Sequence, residues 1–419
     1  MRTRTVVALV VSTLLVASSA FADVVTDWNS AALDAIRTGR VSPPSASRAL
    51  AMLHAAIYDA VNGISRTHEI YLVPSAVPRS ASKEAAAAAA AHTVLVALFP
   101  GRAGAFDALY LAHLAAIPHG PHADAGIRWG ERVGAHILQW RRSDHADAVV
   151  APPLGDAPGS WEPTEPGFAP YLLPQWGFVA PFAIPNGSYF RPVGPPALTS
   201  TEYAQAYDEV KAYGASVGSS RTPEQDTSAL FWADGAGTET PPGHWNSIAR
   251  IVALQQGNTL EQNARLFALL NIAMADAAIS AWDAKYAFSS WRPVTAIRNG
   301  SIDGNAATAG DPAWSSLIIN PPFPEYVSGH STFSAAAATV LAMFYGSDEI
   351  AFLTTSDFLP GVTRHFPGFS AAAAEAAMSR LYGGIHFRFS IEDGLWAGVA
   401  IGEWTVAHYL RAKRSRSRH

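Results

Sequence analysis

The chain has 419 residues and no cysteine, so no disulfide supports it. A chain of this length can bury enough apolar surface to fold without one. It has no excess of positive charge: the formal net charge is −5, which argues against nucleic acid as a general partner. It contains no Gly-x-Gly-x-x-Gly phosphate loop, no internal repeat and no heptad run. Few stretches alternate with a period of two, so strands should be minor. Beyond the N-terminus no segment offers the ~18 consecutive apolar residues of a membrane span. Ala85 to Phe99 comes nearest, but it is mostly alanine and carries His92. The mature protein is expected to be soluble, without a membrane span.

The first residues have the pattern of an export leader. Arg2 and Arg4 precede an apolar stretch from Val6 to Phe21, and Ala20-Phe21-Ala22 fits a small-x-small cleavage site. A signal peptide over 1–22 and a periplasmic or secreted product are expected, for a bacterial source. The basic tail from Arg411 to His419 is read as a solvated terminus.

Helical periodicity dominates the remainder. Ser47–Val61 puts Leu50, Leu53, His54, Ile57 and Val61 on one face, and Lys83–Leu98, Ala123–Arg141, Thr201–Val217, Gln262–Lys285, Phe369–Leu381 and Ile391–Ala412 also read as helices. Between Val149 and Pro196, proline and glycine recur among Trp161, Tyr171, Trp176, Phe178 and Phe182, a packed covering loop and not a linker. The fold class is all-α, a helical bundle. One large domain is expected over 23–419, with N-terminal helices over 23–148, the covering loop over 149–200 and C-terminal helices over 201–419.

Three short segments in the last third carry the chemistry: Lys285-Tyr-Ala-Phe-Ser-Ser-Trp-Arg292-Pro293, Ser328-Gly329-His330, and Ser379-Arg380-Leu-Tyr-Gly-Gly-Ile-His386. Together they supply three cations, hydroxyls and two histidines, an inventory suited to a multiply charged tetrahedral oxyanion. On one continuous helix, Lys285 and Arg292 would share a face, two turns apart. Their flanks Trp282, Tyr286, Phe288 and Trp291 point to burial, and buried cations need anionic partners. Ser328 caps a helix whose first N–H groups can receive an anion, and Gly329 lets an oxygen approach the backbone. His330 stands where a proton donor or acceptor is useful. His386 can attack phosphorus or ligate a metal centre such as vanadium. Alone, each segment also fits a bland role, as surface charges, an ordinary cap or a satisfied core histidine.

In order and spacing the three segments resemble the signature Lys-x6-Arg-Pro, Pro-Ser-Gly-His, Ser-Arg-x5-His. That signature is shared by vanadium-dependent haloperoxidases and type 2 phosphatidic acid phosphatase-like acid phosphatases. The resemblance covers about residues 282 to 393 and is to the bacterial haloperoxidase branch. It implies that Lys285, Arg292 and Arg380 neutralise vanadate oxygens and that Ser328 and the Gly329 N–H hydrogen-bond to them. His330 would act as acid–base, with Lys285 polarising bound peroxide, and His386 would bind vanadium. Phosphate could occupy the same site. Two positions depart from the pattern. Val327 replaces a proline, and Ser390 stands where an aspartate commonly orients the histidine, leaving Glu392, Asp393 or a backbone carbonyl to take over.

Trp282 and Phe323 are apolar at positions that, in the chloroperoxidase-type relatives, adjoin the halide region. The resemblance therefore implies oxidation of chloride or bromide by hydrogen peroxide to hypohalous acid. An acid phosphatase acting on a phosphomonoester through a phosphohistidine is the first alternative. A non-catalytic oxyanion-binding helical protein is the second. A homodimer is common among the proteins it resembles.

Overall fold

Small residues set how closely the helices approach one another. On the C-terminal helix, a Cβ added at Gly398 would lie 2.4 Å from the Thr332 carbonyl oxygen, and one at Gly394 would lie 2.8 Å from that of Ser328. Two backbones meet there at a distance that only glycine permits. The facing helix begins at the Ser328 turn, so this contact fixes where that turn stands.

The computed structural model describes residues 23–413 apart from positions 152, 154 and 156. The expected leader over 1–22 and most of the basic tail lie outside the described residues. The helices are α1 (Val24–Gly39), α2 (Pro43–Ser65), α3 (Lys83–Leu98), α4 (Ala103–Ala115), α5 (Pro121–Arg141), α6 (Thr201–Gly214) and α7 (Pro223–Phe231). They continue as α8 (Thr240–Gln255), α9 (Leu260–Phe288), α10 (Pro293–Arg298), α11 (Gly329–Tyr345), α12 (Phe369–Tyr382) and α13 (Arg388–His408). Among the described residues the sheet is one antiparallel pair, β1 (Phe352–Thr355) and β2 (Thr363–Phe366). The fold is all-α.

Local chemistry explains the helix starts. Asp23, Ser82, Ser200, Thr222, Thr259 and Ser328 each accept a backbone N–H of the first turn, and Thr222/Gln225 and Thr259/Gln262 form capping boxes. Proline at the first helical positions extends α2 and α5 upstream of the apolar stripes that mark them in the sequence.

The long helix α9 runs through the core and packs against α2, α8, α11 and α13. Among the described residues it is the one helix long and apolar enough to cross a membrane, yet 94% of its most apolar window is buried inside the protein. Among the described residues from 142 to 200 the chain forms no α-helix and packs on the helical body. Buried Asp276 of α9 anchors it, accepting the N–H groups of Phe182, Ala183 and Ile184 at 2.7, 2.7 and 2.8 Å. The Leu172 carbonyl accepts from Trp282 Nε1 at 3.1 Å and Tyr286 Oη at 2.7 Å, which seats the same segment on the end of α9 that carries Lys285.

Candidate active site

Lys285 and Arg292 do not share a helix. α9 stops at Phe288, Ser289 turns left-handed with φ 46°, and Arg292 is the extended N-cap residue of α10. Pro293 opens the second helix and does not merely close the first. Both side chains are fully buried. The Lys285 ammonium donates to the carbonyls of Pro324 and Glu325 at 3.0 Å each and of Val327 at 2.5 Å. Its three N–H groups therefore clamp the turn that leads to Ser328. Arg292 donates to the carbonyl of Phe323 through Nε at 3.0 Å and a terminal nitrogen at 2.8 Å, and to that of Ile385 at 2.8 Å. The Phe323 ring centroid is 4.9 Å from each charged centre, and Phe323, but neither cation, lines the cavity described next.

Arg380, at the end of α12, is also fully buried and donates to Ser379 Oγ at 2.9 Å and the Ala229 carbonyl at 3.0 Å. The chain then turns through Gly383 and Gly384, the latter at φ 76°, and delivers His386 beside it. Arg380, His386, His330, Gly329, Trp282 and Phe323 line one cavity of about 330 Å³. A Cβ at Gly329 would meet only Trp282 and Phe333, at 3.6 and 4.0 Å, so the missing side chain leaves the cavity floor open. Ser328 is buried and does not line the cavity, its oxygen capping α11 through the Ser331 N–H at 3.4 Å.

The protonation pattern of His386 follows from its neighbours. An Arg292 N–H lies 3.2 Å from His386 Nε2. Guanidinium can only donate, so Nε2 carries the lone pair and the ring proton sits on Nδ1. Nδ1 then donates to Glu325 Oε1 at 2.7 Å, an oxygen that also accepts the Phe387 N–H at 3.1 Å. Burial and the charges of Arg292, Lys285, His330 and Arg380 hold the His386 imidazole well below its usual range, hence neutral. Burial pushes Glu325 up to about 7 against the opposing pull of Arg292 and Lys285.

Glu325 is the residue that sequence reasoning missed. Glu392 and Asp393 do not orient His386: Glu392 is an exposed neighbour of Arg388 at 3.7 Å, and Asp393 accepts from Tyr326 Oη at 2.6 Å. Ser390 lies 3.4 Å from Nδ1, at the margin of a hydrogen bond. The signal was a lone acid in the apolar run Pro321-Pro-Phe-Pro-Glu325-Tyr-Val, because a charge buried there needs a partner. The second oxygen of Glu325 has no protein partner, and the residue also lines a separate cavity of about 310 Å³ with Tyr203 and Trp291.

His330 is held neutral by burial and by Arg380, and its buried Nε2 has no protein partner. Asp234, also absent from the sequence reading, lines the main cavity and contacts His244 Nδ1 at 3.2 Å. Burial also lowers Arg292 to about 9 and Arg380 to about 10. Burial and the neighbouring Arg292 hold Lys285 well below its usual range too, so three buried basic groups stand near two buried carboxylates, one of them pushed toward neutrality. That imbalance suits an oxyanion. Among the described residues no group of three or more His, Asp or Glu could hold a bare metal ion. One imidazole lone pair, cationic surroundings and an unpartnered second imidazole fit a metal oxyanion such as vanadate.

The model of the VCPO second helical-bundle domain matches residues 265–414, a span that contains all three segments. A solved structure, that of a bacterial vanadium-dependent iodoperoxidase, superposes with a TM-score of 0.82 and 29% identity over 93% of this chain and 98% of that one. In its fold and in the three segments the chain is similar to the vanadium haloperoxidases. Vanadium chloroperoxidase of Curvularia inaequalis is 28% identical over 286 residues, 53% of this chain and 46% of that protein. The chain therefore aligns with about half the length of that curated relative. A holo-type bacterial vanadium-dependent chloroperoxidase, at 19% identity over 87% of this chain and 92% of its own, shares the fold with a TM-score of 0.66.

Proposed function

We propose that this protein is an exported vanadate-dependent haloperoxidase that oxidises halide with hydrogen peroxide to hypohalous acid. The observation that carries the proposal is the chain Arg292–His386–Glu325, which leaves a neutral imidazole with its lone pair on Nε2 among buried cations. Vanadate, when bound, would supply Lewis-acid activation of peroxide without changing its own oxidation state.

The protein's residues then divide the remaining work. His386 would hold the cofactor through Nε2, with Glu325 fixing the tautomer. Arg380, Arg292 and Lys285 would balance the oxyanion's charge, Arg380 from the cavity wall and the other two from beside Phe323. The Ser328 hydroxyl and the free N–H groups at the start of α11 would donate hydrogen bonds to it. His330, neutral and unpartnered at Nε2, would accept a proton from peroxide and return it to the leaving oxygen. Trp282 and Phe323 would give the halide a dry wall, whose low polarity strengthens its attraction to the cations. The leader-like sequence pattern over 1–22 supports export to the periplasm or beyond.

The test adds orthovanadate to metal-free protein and assays halogenation of a phenol dye with peroxide and chloride, bromide or iodide in turn. Vanadate-dependent halogenation with at least one halide is expected. Its absence with all three, alongside hydrolysis of an aryl phosphate that vanadate inhibits, would replace this reading with the phosphatase.

A further inference from the structure

The reactants named above are small, yet the cavity holds about 330 Å³. An apolar cavity of about 150 Å³ already accepts benzene, so an oxyanion on the floor leaves room for a ring above it. The walls there are Trp282, Phe323, Phe333, Leu172, Ile318 and Pro322. The polar edge of Trp282 is engaged by the Leu172 carbonyl at 3.1 Å, so the indole shows the cavity mainly carbon. Water against such walls is poorly held, and an apolar group that displaces it gains affinity.

Three charged side chains line the cavity: Arg380 near His386, Asp234 in contact with His244, and Arg40. Arg40 ends α1 in the left-handed conformation, φ 48°, and is exposed. Its guanidinium lies across Gly237, where a Cβ would come within 2.8 Å of a terminal nitrogen. The nearby Arg37 is neutralised by Glu239 and Asp357, both at 2.6 Å. Arg40 lines the cavity and has no ion pair among the described residues.

We propose that the upper cavity binds an aromatic acid as the organic acceptor of halogenation, its ring against Trp282, Phe323 and Phe333 and its carboxylate toward Arg40. This rests on the haloperoxidase reading. Hypohalous acid formed at the floor meets the bound ring. A carbon–halogen bond forms as the oxygen–halogen bond breaks, the electron pair stays on oxygen, and the displaced ring proton leaves with it as water. No further oxidant is required.

The test is calorimetric titration of the vanadate-free full-length protein, saturated with inorganic phosphate, with 4-hydroxybenzoate and with its uncharged methyl ester. Saturable binding of the acid is expected. Arg40→Ala should weaken the acid about tenfold and the ester less than about twofold. Phe333→Trp, which fills the ring space, should weaken both. No saturable binding, or acid binding indifferent to Arg40→Ala, overturns the inference even if the loaded enzyme oxidises halide. Binding as expected in a protein that oxidises no halide overturns the acceptor role together with the functional reading.

Discussion

Glu325 Oε1 lies 2.7 Å from His386 Nδ1, and both side chains are buried. This pair fixes which imidazole nitrogen faces the cavity, and it does so from the turn before α11, not from the helix after His386.

Glu325→Ala should leave the Nδ1 proton without its acceptor and let the ring change tautomer. Losses at such supporting positions run to about 10–100-fold in cofactor affinity. That drop is expected in the orthovanadate dissociation constant, read from titration of the metal-free protein. Restoring a carboxylate from the other side, as Glu325→Ala with Ser390→Asp, should recover part of it, because position 390 is already 3.4 Å from Nδ1. Equal affinity in wild type and Glu325→Ala would show that the pair has no role in holding the ring.

The contact between α13 and α11 predicts a cost for any side chain at position 398. Gly398→Val places atoms on the Thr332 carbonyl, which a Cβ alone would meet at 2.4 Å. Overpacking of this kind destabilises by about 1–3 kcal/mol, visible in urea denaturation. Because α11 begins at Ser328, phosphate affinity should fall as well. An unchanged midpoint would mean that the two helices separate freely.

His54 on α2 gives a pH dependence with a definite sign. Burial lowers its pKa from 6.5 to about 3, and its Nε2 lies 3.0 Å from Asn29 Oδ1. The unfolded chain binds a proton below pH 6.5 that the folded protein refuses. This contribution is therefore complete above pH 6.5 and lost as pH falls toward 3, at about 1.4 kcal/mol per pH unit. Between pH 7.5 and 5, wild type should lose about 2 kcal/mol more than His54→Gln in urea denaturation. Parallel losses would show that His54 is protonated in the folded state.

Much of the helical body was legible because apolar stripes, capping residues and proline or glycine stops coincide in it. Thr222 and Thr259 with their glutamines are examples. The end of the helix near Lys285 was legible, but that Arg292 caps a new helix was not. Their spacing fits a helix equally well, but residues 289–292, from left-handed Ser289 to extended Arg292, separate α9 from α10. Glu325 was hidden for a different reason. Its partner is 61 residues away, so no local periodicity links them. The same holds for Asp234 and Arg40, which reach the cavity from loops whose sequence carries no motif.

The most direct test is a crystal structure of the protein soaked with orthovanadate at neutral pH, with His386→Ala as the paired control. A vanadium centre bonded to His386 Nε2, its oxygens facing Arg380 and the start of α11, is the predicted result, with no density at that position in the variant. Vanadate bound elsewhere, or equally well without the imidazole, would contradict the account.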